Sequence, residues 1–119
     1  MKTLAVPLIA LGVAAGLFAD EPAQGQMRAA FESKLAADVQ AALAFVAETG
    51  GPAAIERVRE AGTDRFTVRS FRKTDCTRSD TGYVCGFVVD IDVVDGLLHR
   101  ELSGYFIPTA NGLVFKHEA

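Results

Sequence analysis

Residues 65–98, RFTVRSFRKTDCTRSDTGYVCGFVVDIDVVDGLL, decide the fold. Apolar and polar residues alternate on both sides of a Ser79-Asp80-Thr81-Gly82 turn signal, which is the period of paired β-strands. Cys76 and Cys85 stand nine positions apart around that turn. A cross-strand disulfide between them pins the register of a hairpin. That register sets Val68 opposite Val93, Thr74 opposite Phe87, and, on the reverse face, Arg69 opposite Asp92, a compatible charge pair. Two thiols alone make a poor metal site, because structural zinc takes four ligands, and the spacing is not the Cys-x-x-Cys of thiol oxidoreductases.

Two further turn signals lie downstream, Asp95-Gly96 and Asn111-Gly112. Both dipeptides favour two-residue type I′ hairpin loops. The first sets Val89 opposite Leu102 and Cys85 opposite Phe106, and the second adds Leu113 and Phe115 to the same face. One face then collects Phe66, Val68, Cys85, Phe87, Val89, Ile91, Val93, Leu98, Leu102, Phe106, Leu113 and Phe115. Ser70, Arg72, Arg100 and His117 also fall on it and must sit at its rim or mark a misregister. Strands are expected at about 65–76, 83–94, 97–107 and 113–118, paired in the order 1-2-3-4. Arg65, Arg69, Arg72 and Lys73 charge the first strand, as suits an exposed edge.

Upstream, Met27, Phe31, Leu35, Val39, Leu43 and Val46 recur at spacings of four or three, one face of a helix. The spacing predicts a long helix over about 24–49. Gly50-Gly51-Pro52 breaks it, and a short second helix over about 52–61 carries Ile55 and Val58, with Gly62 as its C-cap residue. The expected fold class is therefore α+β: a long N-terminal helix plus a short helix packed on a four-stranded antiparallel meander with one hairpin disulfide.

The chain begins with Lys2, an apolar run from Leu4 to Phe18, and a polar switch at Asp20-Glu21-Pro22. This is the order of a secretory signal peptide, and the run falls short of the roughly 20 residues of a membrane span. Cleavage is expected after Ala19, or alternatively after Gly16; an uncleaved anchor or a buried helix is the other reading. Residues 1–19 are thus read as the signal peptide and 20–119 as one domain in the periplasm or outside the cell, with no stable membrane span after cleavage. The whole chain carries 12 basic and 15 acidic side chains, and the loss of Lys2 leaves a balance of −4. That charge favours solubility and argues against nucleic acid as a partner.

Phe71-Arg72-Lys73-Thr74-Asp75-Cys76, Gly82-Tyr83-Val84-Cys85, Phe87 to Val93 and Asn111-Gly112-Leu113-Val114-Phe115 together resemble the disulfide hairpin and closing strand of small exported bacterial domains with NTF2-like and cystatin-like folds. The likeness spans about 27–118. It implies a scaffold used for binding, dimerisation or occasional catalysis, and fold alone does not choose among these. The chain is shorter than a full NTF2-like domain, which has a further helix and strand, so that fold's deep conical pocket is not expected.

Two candidate sites follow from the registers. Arg69, Asp92 and His99 line up across three strands of the reverse face, with Asp90 and Glu101 beside them. A histidine held by a carboxylate is the core of many acid–base sites; the alternative is a set of solvent-facing charges near a hairpin end. The same face carries Phe71, Val84, Val88, Val94, Leu97, Tyr105, Ile107 and Val114. Left uncovered, such a patch marks a partner surface, with a sheet-to-sheet homodimer or an envelope protein as the partner; the alternative is that the second helix, or the chain start, folds over it. His99 and His117 point to opposite faces and do not form a metal site. Asp90, Asp92 and Asp95 lack the Gly and Glu of a calcium loop, and no cofactor motif is present. The expected function is a non-catalytic exported binding or interaction domain of the bacterial envelope; the alternative is a small acid–base enzyme using His99 and Asp92.

Overall fold

The computed structural model describes residues 20–118; the signal peptide expected over 1–19 lies outside them. One helical element, α1 (Gln24–Ala61), precedes four strands: β1 (Thr67–Arg78), β2 (Tyr83–Val93), β3 (Gly96–Thr109) and β4 (Gly112–His117). The strands form an antiparallel meander in the order β1-β2-β3-β4, with the Cys76–Cys85 disulfide bridging directly opposed residues of β1 and β2. The long helix, the meander, its order and its disulfide are as the sequence predicts.

The short second helix is not a separate element on the sheet. Residues 52–61 continue α1, and the backbone leaves helical space only at Gly51 (φ 74°, ψ −172°). That conformation is open to glycine and costly for other residues, and Pro52 restarts the helix because its missing N–H would be unbonded there anyway. Val39, Ala42, Leu43 and Val46 before the kink meet Val58, Thr63 and Asp64 beyond it around a cavity of about 220 Å³. The chain therefore folds back on its own helix. Phe45, on the outgoing arm, is 66% exposed.

The core lies between the first turns of α1 and one face of the sheet, here the inner face. Met27, Ala30 and Phe31 are buried against Val68, Phe71, Tyr83, Cys85, Phe87, Val89, Ile91, Phe106 and Phe115. Phe31 is the central contact: its ring lies 5.1 Å from that of Phe87, 5.5 Å from Phe115 and 6.0 Å from Phe71, centroid to centroid. Edge-on and tilted geometries at these separations are the favoured ones for aromatic pairs. Two polar clamps fix the helix start. Lys73 Nζ pairs with Glu21 and donates to the Pro22 carbonyl, its backbone N–H donates to Gln24 Oε1, and Arg28 donates to the Val68 carbonyl.

Three registers differ from expectation. Along β1, irregularities between Val68 and Ser70 and between Lys73 and Cys76 set Val68 opposite Ile91 and Lys73 opposite Phe87. An extra residue in a strand rotates everything beyond it to the other face. Phe71, expected outside, is therefore 6% exposed in the core, while Ser70 and Arg72 move to the reverse face, which resolves the misregister they signalled. In the other two hairpins the two-residue loops are Val94-Asp95 and Ala110-Asn111, with Val93 opposite Gly96 and Thr109 opposite Gly112. Gly96 (φ 132°) and Gly112 (φ 117°) follow the loop instead of filling its second place, and no described non-glycine residue has positive φ. A type I′ turn needs positive φ at Asp95 and Asn111; the observed turns avoid it. Each slide is of two residues, so the faces of β2, β3 and β4 are kept while the pairs change. Arg100 and His117 stay on the inner side, both exposed.

Replacing Phe31 by alanine is expected to cost about 3–5 kcal/mol, a large part of the roughly 5–15 kcal/mol of a domain, and urea unfolding followed by circular dichroism measures it. Removing the disulfide by Cys76→Ala with Cys85→Ala opens a loop of about ten residues and is expected to cost about 2.5–3 kcal/mol on the chain-entropy argument. A smaller effect in the same assay would mean that the hairpin register is held by packing alone.

Candidate functional site

The reverse face of the sheet carries the chemistry and the apolar surface that α1 leaves uncovered. Because β2 and β3 slide by two residues, His99 stands opposite Asp90 and Asp92 stands opposite Leu97. The expected Arg69–Asp92–His99 line is thus split in two. Arg69 holds Asp92 through two contacts of 3.0 Å, Nε to Oδ2 and Nη2 to Oδ1. His99 Nδ1 lies 2.5 Å from Asp90 Oδ1, while Ser70 Oγ donates to Asp90 Oδ2 at 2.9 Å. Nothing in the sequence alone placed Ser70 here; the β1 irregularity does, by turning its side chain outward.

These contacts hold the Asp90 carboxyl below its ordinary pKa. The hydrogen bond from His99 is the main cause and that from Ser70 the second, against a smaller opposing effect of partial desolvation. Both bonds favour the ionised form. In chemical terms the group is a carboxylate that holds an imidazole through Nδ1, half of an acid–base site. The nucleophile and the enclosure are missing: Ser70 donates to the aspartate rather than to the histidine, and the His99 side chain is 64% exposed. Asp92 lines a shallow groove of about 290 Å³ with Arg65, Phe66 and Val94, and His99 is not part of it. A third cavity, about 240 Å³, lies at the start of α1 between Asp20, Glu21, Pro22, Gln26 and the Tyr83, Pro108 and Leu113 side of the sheet.

His117 approaches Asp38 of α1 at 3.7 Å on the other face, so the two histidines are indeed separated by the sheet. Among the described residues no group of three or more His, Cys, Asp or Glu side chains is placed to hold a metal ion, and no helix is long and apolar enough to cross a membrane.

Apolar residues of the reverse face gather at the end of the sheet where β3 and β4 meet, and Val88 lies apart from them, opposite Glu101. Val84 pairs with Tyr105 and Ile107 with Val114 on the reverse face. Val84, Val88, Tyr105 and Ile107 are half-buried by their neighbours alone and Val114 is 40% exposed. Residues 52–61, which could have covered this face, pack against the first arm of α1 instead. Phe71 leaves the patch for the core, as above, and Val94 and Leu97 form a separate exposed pair at the β2–β3 turn.

Comparisons with protein-family models, with curated proteins and with solved structures return no match for this chain.

A carboxylate whose pKa is depressed in the folded state adds stability above its ordinary pKa and loses that stability as pH falls through the depressed value. The Asp90 contribution is therefore complete at neutral pH and disappears only on acidification below the normal carboxylate range. Titration of the Asp90 side-chain carbon by NMR is expected to show a midpoint below that of an exposed aspartate. The midpoint should rise in His99→Ala, and rise less in Ser70→Ala. No change in either variant would show that these contacts are not formed in solution.

Proposed function

We propose that this protein is a non-catalytic exported binding domain whose working surface is the reverse face of the sheet. The observation that carries the reading is the Val84, Tyr105, Ile107 and Val114 patch, with Val88 further along β2 between Arg72 and Glu101, on a face that no described element covers. Antiparallel sheets need only one apolar face to fold, so a second cluster of valine, isoleucine and tyrosine is surplus to folding and suits a partner. Asp90 with His99 and Asp92 with Arg69 are already paired, and the other charges on this face, Arg72, Glu101 and Lys116, are of both signs. Four strands at about 4.8 Å and some eleven residues at about 3.4 Å give a footprint of about 700 Å², close to the roughly 800 Å² per partner of a standard interface. The occupant this suits best is a second copy, packed sheet to sheet in the envelope. Export rests on the signal-peptide pattern and on the disulfide, which persists in oxidising compartments. A helix laid on an antiparallel meander supports the likeness to NTF2-like and cystatin-like scaffolds.

A second reading is acid–base chemistry, through His99 and Asp90 rather than Asp92. The 2.5 Å contact between them favours it; the open surroundings do not, since a proton-transfer site gains from exclusion of water.

Light scattering coupled to size-exclusion chromatography of the exported, oxidised protein separates these readings. The expected result is a dimer that Val88→Asp or Ile107→Asp converts to folded monomers and that His99→Ala leaves intact. A monomer unchanged by the two aspartates would remove the reverse face as a self-association surface.

A further inference from the structure

The two edges of the sheet are built differently. β1 is irregular at two places and carries Arg69, Arg72 and Lys73, which are the devices by which an edge refuses an added strand. On the other side, β4 pairs only with Gly104–Thr109 of β3. The first part of β3, Gly96–Ser103, has β2 on one side and, among the described residues, no strand on the other. Eight residues at about 3.4 Å make roughly 27 Å of open edge. Its register against β2 is unbroken, it contains neither proline nor bulge, and every residue in it except Leu102 is exposed. Such a stretch presents a row of backbone donors and acceptors with no strand to meet them.

Its side chains say what would fit. Leu98, Arg100 and Leu102 face the inner side, opposite Ile91, Val89 and Phe87, while Leu97, His99, Glu101 and Ser103 face the reverse side. Arg100 donates to the backbone carbonyl of its neighbour His99, and neither Arg100 nor Glu101 takes part in any of the ion pairs among the described residues. A second copy is a poor occupant. Two copies meeting antiparallel about a two-fold axis place one residue against itself. The three central registers then oppose Arg100 to Arg100, Glu101 to Glu101, or His99 to His99, whose imidazoles are each already held by Asp90. Like charges directly opposite are destabilising.

We propose that Gly96–Ser103 is the acceptor for an extended segment of a partner protein, added antiparallel to β3 and reading apolar, acidic, apolar at alternate positions. The apolar residues lie over Leu102 and Leu98, the carboxylate lies opposite Arg100, and a cation on the other face of the added strand meets Glu101. Main-chain hydrogen bonds supply the affinity and the alternate side chains the selectivity, the general logic of strand addition. This surface is separate from the Ile107 and Val114 end of the reverse face, which lies where β3 pairs with β4, so a pair formed there leaves both such edges free.

The test uses the intact exported protein, labelled for amide NMR, and the peptide acetyl-Thr-Leu-Lys-Glu-Thr-Leu-Thr-amide. The expected result is shifted signals and slowed exchange confined to the amides of 96–103, with binding about tenfold weaker when the peptide glutamate is replaced by lysine. Arg100→Glu should invert that preference, and Ile107→Asp, where β3 pairs with β4, should leave it unchanged, so that failure here is distinguishable from failure of the reverse-face reading. Unshifted edge amides, equal binding of both peptides, or edge amides already protected in the free protein by pairing with a second copy would each overturn the proposal.

Discussion

Phe31 is the contact on which the remaining architecture depends. It is 2% exposed and touches the rings of Phe71, Phe87 and Phe115, which come from three different strands. A helix turn that joins β1, β2 and β4 through one side chain sets how α1 crosses the sheet. It also explains why the core is confined to one face: the buried helical residues are Met27, Ala30 and Phe31, all within the first two turns. Beyond Leu35 the helix no longer contributes buried side chains to the sheet. The rest of its apolar stripe is spent on the returning arm, around Leu43 and Val58. A domain of about 100 residues buries a modest share of its surface, and this one concentrates that share in a single aromatic cluster.

The cluster imposes a second constraint through Gly104. A β-carbon there would run into the Phe115 ring and the Lys116 backbone, so the inner face of β3 must be bare at this position for the Phe115 ring to occupy it. The period-two pattern of β3 shows Gly104 only as a gap in alternation. Its reason becomes visible once Gly104 is found opposite His117, with Phe115 leaning across it. Gly86 plays the matching role on β2, where the extra residues of β1, Thr74 and Asp75, crowd the space a side chain would fill.

Much of the fold was legible because faces are more robust than pairs. A two-residue slide in a hairpin preserves which side each residue occupies, so Phe87, Val89, Ile91, Phe106 and Phe115 fall in the core although the assumed turns were wrong. The candidate site was less legible for the same reason. Its identity depends on which residue stands opposite which, and the slide moves His99 from Asp92 to Asp90. Asp95-Gly96 and Asn111-Gly112 are compatible with a turn that ends on glycine as well as one that contains it, and local chemistry does not separate the two. In β1 the difficulty was of another kind. A strict alternation sends Phe71 outward, and only its stacking on Phe87 at 4.8 Å shows that burying a phenylalanine outweighs the ladder bonds lost at an irregularity. The helical break at Gly51 was readable from Gly-Gly-Pro, but not the decision of residues 52–61 to pack on α1 rather than on the sheet.

With the inner face consumed by Phe31 and its neighbours, the sheet has two surfaces left, the reverse face and the open half of β3. Their chemistry differs in a way that argues for different occupants. The reverse face is apolar at one end and elsewhere carries two ion pairs beside Arg72, Glu101 and Lys116, so it makes no demand for one sign of charge. The occupant proposed for it is a surface like itself. The β3 edge keeps Arg100 and Glu101 outside every ion pair among the described residues and sets them on opposite faces of one strand, so it does demand a particular charge, on each side separately. A strand that satisfied both would have to differ from β3 itself, because self-pairing brings like charges together. The defended β1 edge sharpens the contrast, since irregularity and cations there show that this fold can close an edge. On β3, between Gly96 and Ser103, no described strand does so.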